Sequence, residues 1–191
     1  MALRDLVQRA RSVRRFRQDP ISMETLRSLV ELARWSPSGG NLQALKFFLS
    51  CDGKTNARIF EHTEWAGALR DWPGPGPNER PTAYIVIVND AQIRPSCLGP
   101  DVGIAAQSMR LGAAERGLGG CMLGAIDRDG LRDALKVPAH LDIRLVLALG
   151  TPAEEVVLDG PREGGNVAYW RDDKDVHHVP KRTLDELIVP L

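Results

Sequence analysis

Helical and extended patterns alternate along the chain, and that alternation restricts the fold to layers of helix and sheet. Residues 2–11 suit a short helix. A second follows Ser22, a good N-cap with Glu24 in the first turn, and Leu26, Leu29, Val30 and Ala33 recur at helical spacing until Pro37 forbids continuation. The runs LKFFLSC (45–51) and TAYIVIVN (82–89) are aromatic, β-branched and of strand length. Between them lies HTEWAGALRDWPGPGPNERP, whose Pro/Gly end reads as an irregular surface loop. Asp101 is placed to cap a long helix, VGIAAQSMRLGAAERG, closed by Gly117, and its Ala105, Gly112 and Ala113 let another backbone come close. GGCMLGAI then reads as a short strand or turn, RDGLRDALK as a helix and IRLVLALG (143–150) as a strand. The order is helices, strand, helix, strand, long helix, strand, helix, strand, which points to an α+β or α/β sandwich with one mixed sheet. From Thr151 the sequence shows little regular pattern until LDELI. A tail of that length without its own core has to lie across something, and a partner subunit is the expected surface.

A length of 191 residues suits one domain with a real core. Lys plus Arg (25) balance Asp plus Glu (25), so nothing global draws the chain to nucleic acid or an anionic membrane. The distribution is uneven, however: Arg4, Arg9, Arg11, Arg14, Arg15 and Arg17 crowd the start, which favours a local anion site. Cys51, Cys97 and Cys121 lack metal-ligand spacing, and their odd number suits a reducing cytoplasm. No apolar run approaches the ~20 residues that cross a bilayer, and MALRDLVQRA lacks the apolar core of a signal peptide. A soluble cytoplasmic protein is expected.

Several familiar signals fail. Gly53-Lys54-Thr55 resembles the end of a phosphate-binding loop, but Phe48 stands where the first glycine is required. Met122 replaces the third glycine of a dinucleotide fingerprint around Gly117, Gly119 and Gly120. His177 and His178, being adjacent, point to opposite faces of an extended segment, which suits surface histidines better than paired metal ligands. No nucleophile elbow occurs, and Cys121 has no obvious histidine partner.

Three islands remain: ARSVRRF (10–16), SPSGGNLQ (36–43) and GLGGCMLGAI (117–126), with a basic VPKR (179–182) near the end. In this order and spacing they resemble the FMN-dependent nitroreductase family, over nearly the whole chain. The first island is similar to that family's Arg-Ser-x-Arg-x-Phe signature, the second to its Pro-Ser-x-x-Asn-x-Gln turn, and the third to its Gly-Gly segment beside the flavin. The resemblance implies an α+β fold, with a mixed β-sheet flanked by helices, in an intertwined homodimer that shares its active sites. Residues 1–191 would form one FMN-binding domain, with 151–191 an extension wrapping the partner.

The same resemblance distributes roles. Arg11 and Ser12 would hold the FMN phosphate or ribityl chain, since arginine presents a planar fork of donors, and Arg14 would set a positive charge near the ring's N1 and O2. A solvated helix end is the competing reading of these arginines. Pro37, Ser38, Gly39 and Asn41 would form a cradle for the flavin held mainly by the other subunit; an ordinary Gly-Gly turn is the competitor. Met122, Leu123 and Gly124 would line the ring, with a backbone N–H at N5, although a buried strand explains them as well. Lys181 and Arg182 match a basic pair that closes over the phosphate. Trp65 and Trp72 would stack on a planar substrate or pack the dimer interface. The implied chemistry is hydride transfer from NADH or NADPH through FMN to a nitroaromatic, quinone or similar acceptor, by a ping-pong mechanism with no acid–base or covalent side chain. Alternatives within the family are flavin cleavage, dehalogenation and heterocycle oxidation; a non-turnover FMN-storage protein is another. The chain departs from the pattern at Ala10, often arginine, at Ala44, usually proline, and between Asn89 and Asp101, too short for a helical cover over the substrate.

Overall fold

The computed structural model describes residues 2–69, 71–96 and 99–190, so Cys97 lies outside the described residues. In chain order the elements are α1 (Leu3–Arg9), β1 (Phe16–Arg17), α2 (Met23–Arg34), β2 (Leu45–Ser50), α3 (Gly53–Glu61), β3 (Ala83–Asp90) and α4 (Gly99–Glu115). They continue with β4 (Gly119–Leu123), α5 (Arg128–Leu135), β5 (Leu141–Pro152), β6 (Val156–Asp159), β7 (Trp170–Arg171), β8 (His177–Pro180) and α6 (Leu184–Leu187).

The central sheet runs β1-β5-β3-β2, with β4 also paired to β5, and each of these pairings is antiparallel. β3 explains why helices cover both sides: its residues from Ala83 to Val88 are all buried, and successive side chains point to opposite faces. Tyr84, Val86 and Val88 pack with Ile59 of α3 and Leu131 of α5. Ile85 and Ile87 pack with Leu26 and Leu29 of α2 and Met109 of α4. Each such apolar side chain contributes roughly 1.5–3 kcal/mol when fully buried.

Local chemistry sets the element ends. Ser22 Oγ accepts from the Thr25 amide at the head of α2. Gly117, at φ 74°, closes α4: its amide bonds to Ala114 and that of Leu118 to Ala113, a Schellman arrangement. On the small face of α4, Gly112 makes room for a side chain of α2: a Cβ there would sit 2.2 Å from Leu32 Cδ1.

Two expectations are corrected. Asp101 does not cap α4: Pro100 needs no amide partner, so the helix begins earlier, at Gly99, and Asp101 lies buried in its first turn. The tail is also more ordered than its pattern suggests. β6 pairs parallel with β8 and β7 pairs antiparallel with β8, making a second, three-stranded sheet from strands too short to show a period of two. Among the described residues no helix is long and apolar enough to cross a membrane.

Candidate functional site

The segment Arg11–Arg15 leaves α1 and is fixed from three sides. Val13 N donates to Gly120 O of β4 at 3.1 Å, and Ser12 bridges to Gly120. The amides of Arg14 and Arg15 both donate to Glu154 Oε1, just past β5, and the Glu154 side chain is only 1% exposed. Arg110 of α4 donates from Nη2 to Ala10 O at 2.6 Å. The result is a cavity of about 250 Å³ that includes Arg11, Ser12, Arg14, Arg110, His177 and Lys181 in its lining.

Four cations therefore converge on a cavity that no carboxylate side chain lines among the described residues. Arg110 is pushed below the ordinary arginine range by burial first and then by the nearby charges of Arg11 and Arg14, against an opposing effect of Cys121. The Nε atoms of Arg11 and Arg14 are buried without a hydrogen-bond partner. Unpaired buried donors among like charges are costly in a folded chain, and a phosphate monoester, with close to two negative charges and three acceptor oxygens, satisfies both demands. The residues present thus fit the phosphate end of the implied cofactor.

Arg14 is the most tightly held of the set. It is buried, its Nη1 lies 3.0 Å from His177 Nε2, and its guanidinium stacks 4.5 Å from the Tyr169 ring centre. Tyr169 OH in turn accepts from the Ala68 amide, joining the loop after α3 to the tail. His177 is completely buried, which corrects its reading as a surface histidine. Burial first, then the charges of Arg14, Arg171 and His178, lowers it to about 4, so the ring stays neutral at neutral pH. A neutral ring that accepts from Arg14 on Nε2 carries its proton on Nδ1. His178 does face the opposite way, and Asp159, followed by Asp172, raises it.

Not every candidate joins this cavity. Lys181 lines it, whereas Arg182 is absent from the lining and lies 3.6 Å from Glu186. Pro37 and Ser38 line a separate cavity of about 340 Å³ with Asp101, and the two cavities share no residue. Asp101 accepts there from the Gly39 amide at 3.0 Å, and Ser38 Oγ from the Gln43 amide. The turn takes left-handed backbone at Gly40, where glycine adopts it freely, and at two non-glycine residues, Asn41 and Gln43, with φ near 54° and 52°, where it costs conformational energy. Left-handed non-glycine residues concentrate at functional sites. Met122 and Leu123 sit on opposite faces of β4, within the two cores, while Gly124 beyond them is exposed with nothing within 4 Å of a notional Cβ. Trp65 is 9% exposed, stacked on Phe60 and bonded through Nε1 to Thr63, so it is a core residue. Trp72 is flanked by Arg15 and Arg171.

Sequence reasoning missed Arg110, Glu154, Tyr169 and His177. Arg110 left a trace, a lone cation in an otherwise small and apolar stretch of α4. Glu154 and Tyr169 left none, because their roles arise only when the tail folds back.

The Nitroreductase family model matches residues 7–151. The chain is 30% identical to 5,6-dimethylbenzimidazole synthase of Rhodospirillum rubrum over 172 residues, covering 78% of this chain and 82% of that protein. It is 26% identical to iodotyrosine deiodinase of Thermotoga neapolitana, covering 78% and 88% respectively. In fold it matches a Desulfovibrio desulfuricans protein described as a nitroreductase and solved in complex with FMN, with TM-score 0.73, 23% identity and coverage of 100% and 97%. A nitroreductase family protein of Streptococcus pneumoniae matches with TM-score 0.70 and 13% identity, over 100% of both chains.

Proposed function

Because the chain belongs to the nitroreductase family, we propose that it is an FMN-dependent oxidoreductase taking a hydride from NADH or NADPH and passing it to an acceptor such as a nitroaromatic or quinone in a second half-reaction. The observation that carries this reading is the acid-free convergence of Arg11, Arg14, Arg110 and Lys181, with two unpaired guanidinium Nε atoms, on one cavity. FMN, when bound, supplies the ring that accepts and donates hydride. Arg11, Ser12, Arg110 and Lys181 hold its phosphate. Arg14, clamped by His177 and Tyr169, contributes a fixed positive charge that favours negative charge on the bound cofactor. Gly124 offers an open backbone edge at the end of β4. Pro37, Ser38, Gly39 and Asn41 serve a second copy of the chain in a homodimer, which accounts for a strained turn that shares no cavity with its own arginines. Residues 151–191 would contribute to that dimer through the exposed Leu184, Leu187, Ile188 and Val189.

The purified chain should be yellow and should bleach on addition of NADH or NADPH. A colourless preparation that also fails to bind added FMN would overturn the reading. A second reading keeps the cofactor and changes the reaction to flavin cleavage, dehalogenation or heterocycle oxidation. It is favoured by the two relatives above, named as a synthase and a deiodinase. Product analysis after anaerobic reduction and admission of oxygen separates the two, since loss of intact FMN marks cleavage.

A further inference from the structure

A cavity of about 360 Å³ opens between the start of β3, the start of α3 and the segment after β1, and none of its lining residues lines the arginine cavity. Three side chains in its lining hold buried polar atoms without a hydrogen-bond partner: Arg80 Nε, Thr82 Oγ1 and Tyr84 OH. Tyr84 is 0% exposed, and burial raises its phenol well above the usual range, so it remains a neutral donor. The neighbouring amides offer no relief. Asn56 accepts from Ser50 Oγ and donates to Thr82 O, and Gln18 Nε2 donates to the carbonyls of Phe16 and Arg80.

Each unmade buried bond costs on the order of 1–3 kcal/mol, and three around one cavity call for a common partner. That partner must accept, because a guanidinium N–H and two hydroxyls can all donate. It must also suit a positive charge: among the described residues no acid lines the cavity, and the Arg80 guanidinium is held 4.0 Å over the Phe60 ring. Phe60, Ala57 and Pro77 supply an apolar wall.

We propose that this cavity is a second ligand site, independent of the FMN site, for a small organic carboxylate with a compact apolar body. Its carboxylate would meet Arg80, Thr82 and Tyr84 and its body the wall around Phe60. The site does not rest on the flavin reading, and FMN binding measured in the same samples keeps the two separable.

Benzoate serves as the probe, with saturation-transfer NMR on the full chain in the presence of FMN. Wild type should bind it saturably, Arg80→Gln should bind roughly tenfold more weakly or worse, as loss of a charge-assisted bond implies, and Tyr84→Phe should also weaken binding. FMN affinity should be unchanged in both variants. Cys51 also lines the cavity, so benzoate should slow its alkylation by iodoacetamide, read by peptide mass mapping. Tyr84→Phe removes only an unpartnered hydroxyl and should fold at least as well as wild type, which keeps the test open if Arg80→Gln is unstable. Absence of saturable binding to wild type, equal affinity in the variants, or binding that leaves Cys51 unprotected would each refute the site.

Discussion

At the residue scale, the arginines divide by how they are held. Arg11 reaches the cavity with a partly exposed side chain, whereas Arg14 is buried and clamped. Arg11→Ala should therefore weaken FMN binding more than it slows flavin reduction, and Arg14→Ala should do the reverse; stopped-flow reduction alongside FMN titration reads both. Arg110→Met should weaken FMN binding roughly tenfold or more through loss of a charged hydrogen bond. His177 adds a pH dependence. Its depressed pKa means that its contribution to stability is complete above 6.5 and is lost as pH falls toward about 4. The loss amounts to at most about 3 kcal/mol at the low end, and urea midpoints of His177→Gln should show a flatter fall over that window than wild type. The same residues show what sequence could reveal. Arg11, Ser12, Arg14 and Lys181, all singled out in the sequence, line one cavity, whereas Arg182 of the same basic pair does not. Glu154 and His177 were not legible, since each acts on Arg14 across 140 residues or more of chain.

At the element scale, β4 separates what the fold requires from what the site requires. A Cβ on Gly120 would meet Ala148 O at 2.9 Å, a backbone atom of β5 that cannot rotate away, and Gly120 O also holds Val13 in place. Gly120→Ala should cost roughly 1–3 kcal/mol as an overpacked contact and loosen the Arg11–Arg14 segment with it. Gly124→Ala meets open space and should leave stability within about 0.5 kcal/mol, yet lower FMN affinity if the end of β4 borders the ring. Thermal unfolding with and without FMN distinguishes the two, and equal behaviour would remove Gly124 from the site. The longer elements were readable because α2, β3 and β5 carry several turns or pleats of consistent pattern. The small tail sheet was not, because strands of two to four residues contain at most two repeats of the pleat.

At the scale of the whole molecule, the chain leaves two surfaces that a second copy would complete. The 38–43 turn opens on a cavity of its own, and residues 181–190 are all exposed. Within that segment Leu184, Leu187, Ile188 and Val189 are between 59% and 84% exposed. The four fall within one short segment, and a large contiguous exposed apolar patch marks an interaction surface. If they grip a partner, the full chain should sediment as a dimer. Removal of residues 183–190 should raise the dimer's dissociation constant while cooperative unfolding persists, since the core shares none of those side chains. FMN should then bind the truncated chain weakly at low protein concentration and recover as concentration rises, because the turn arrives with the second copy. A full-length chain that sediments as a monomer and still binds FMN would show instead that one copy builds the whole site, and the strained turn would need another explanation.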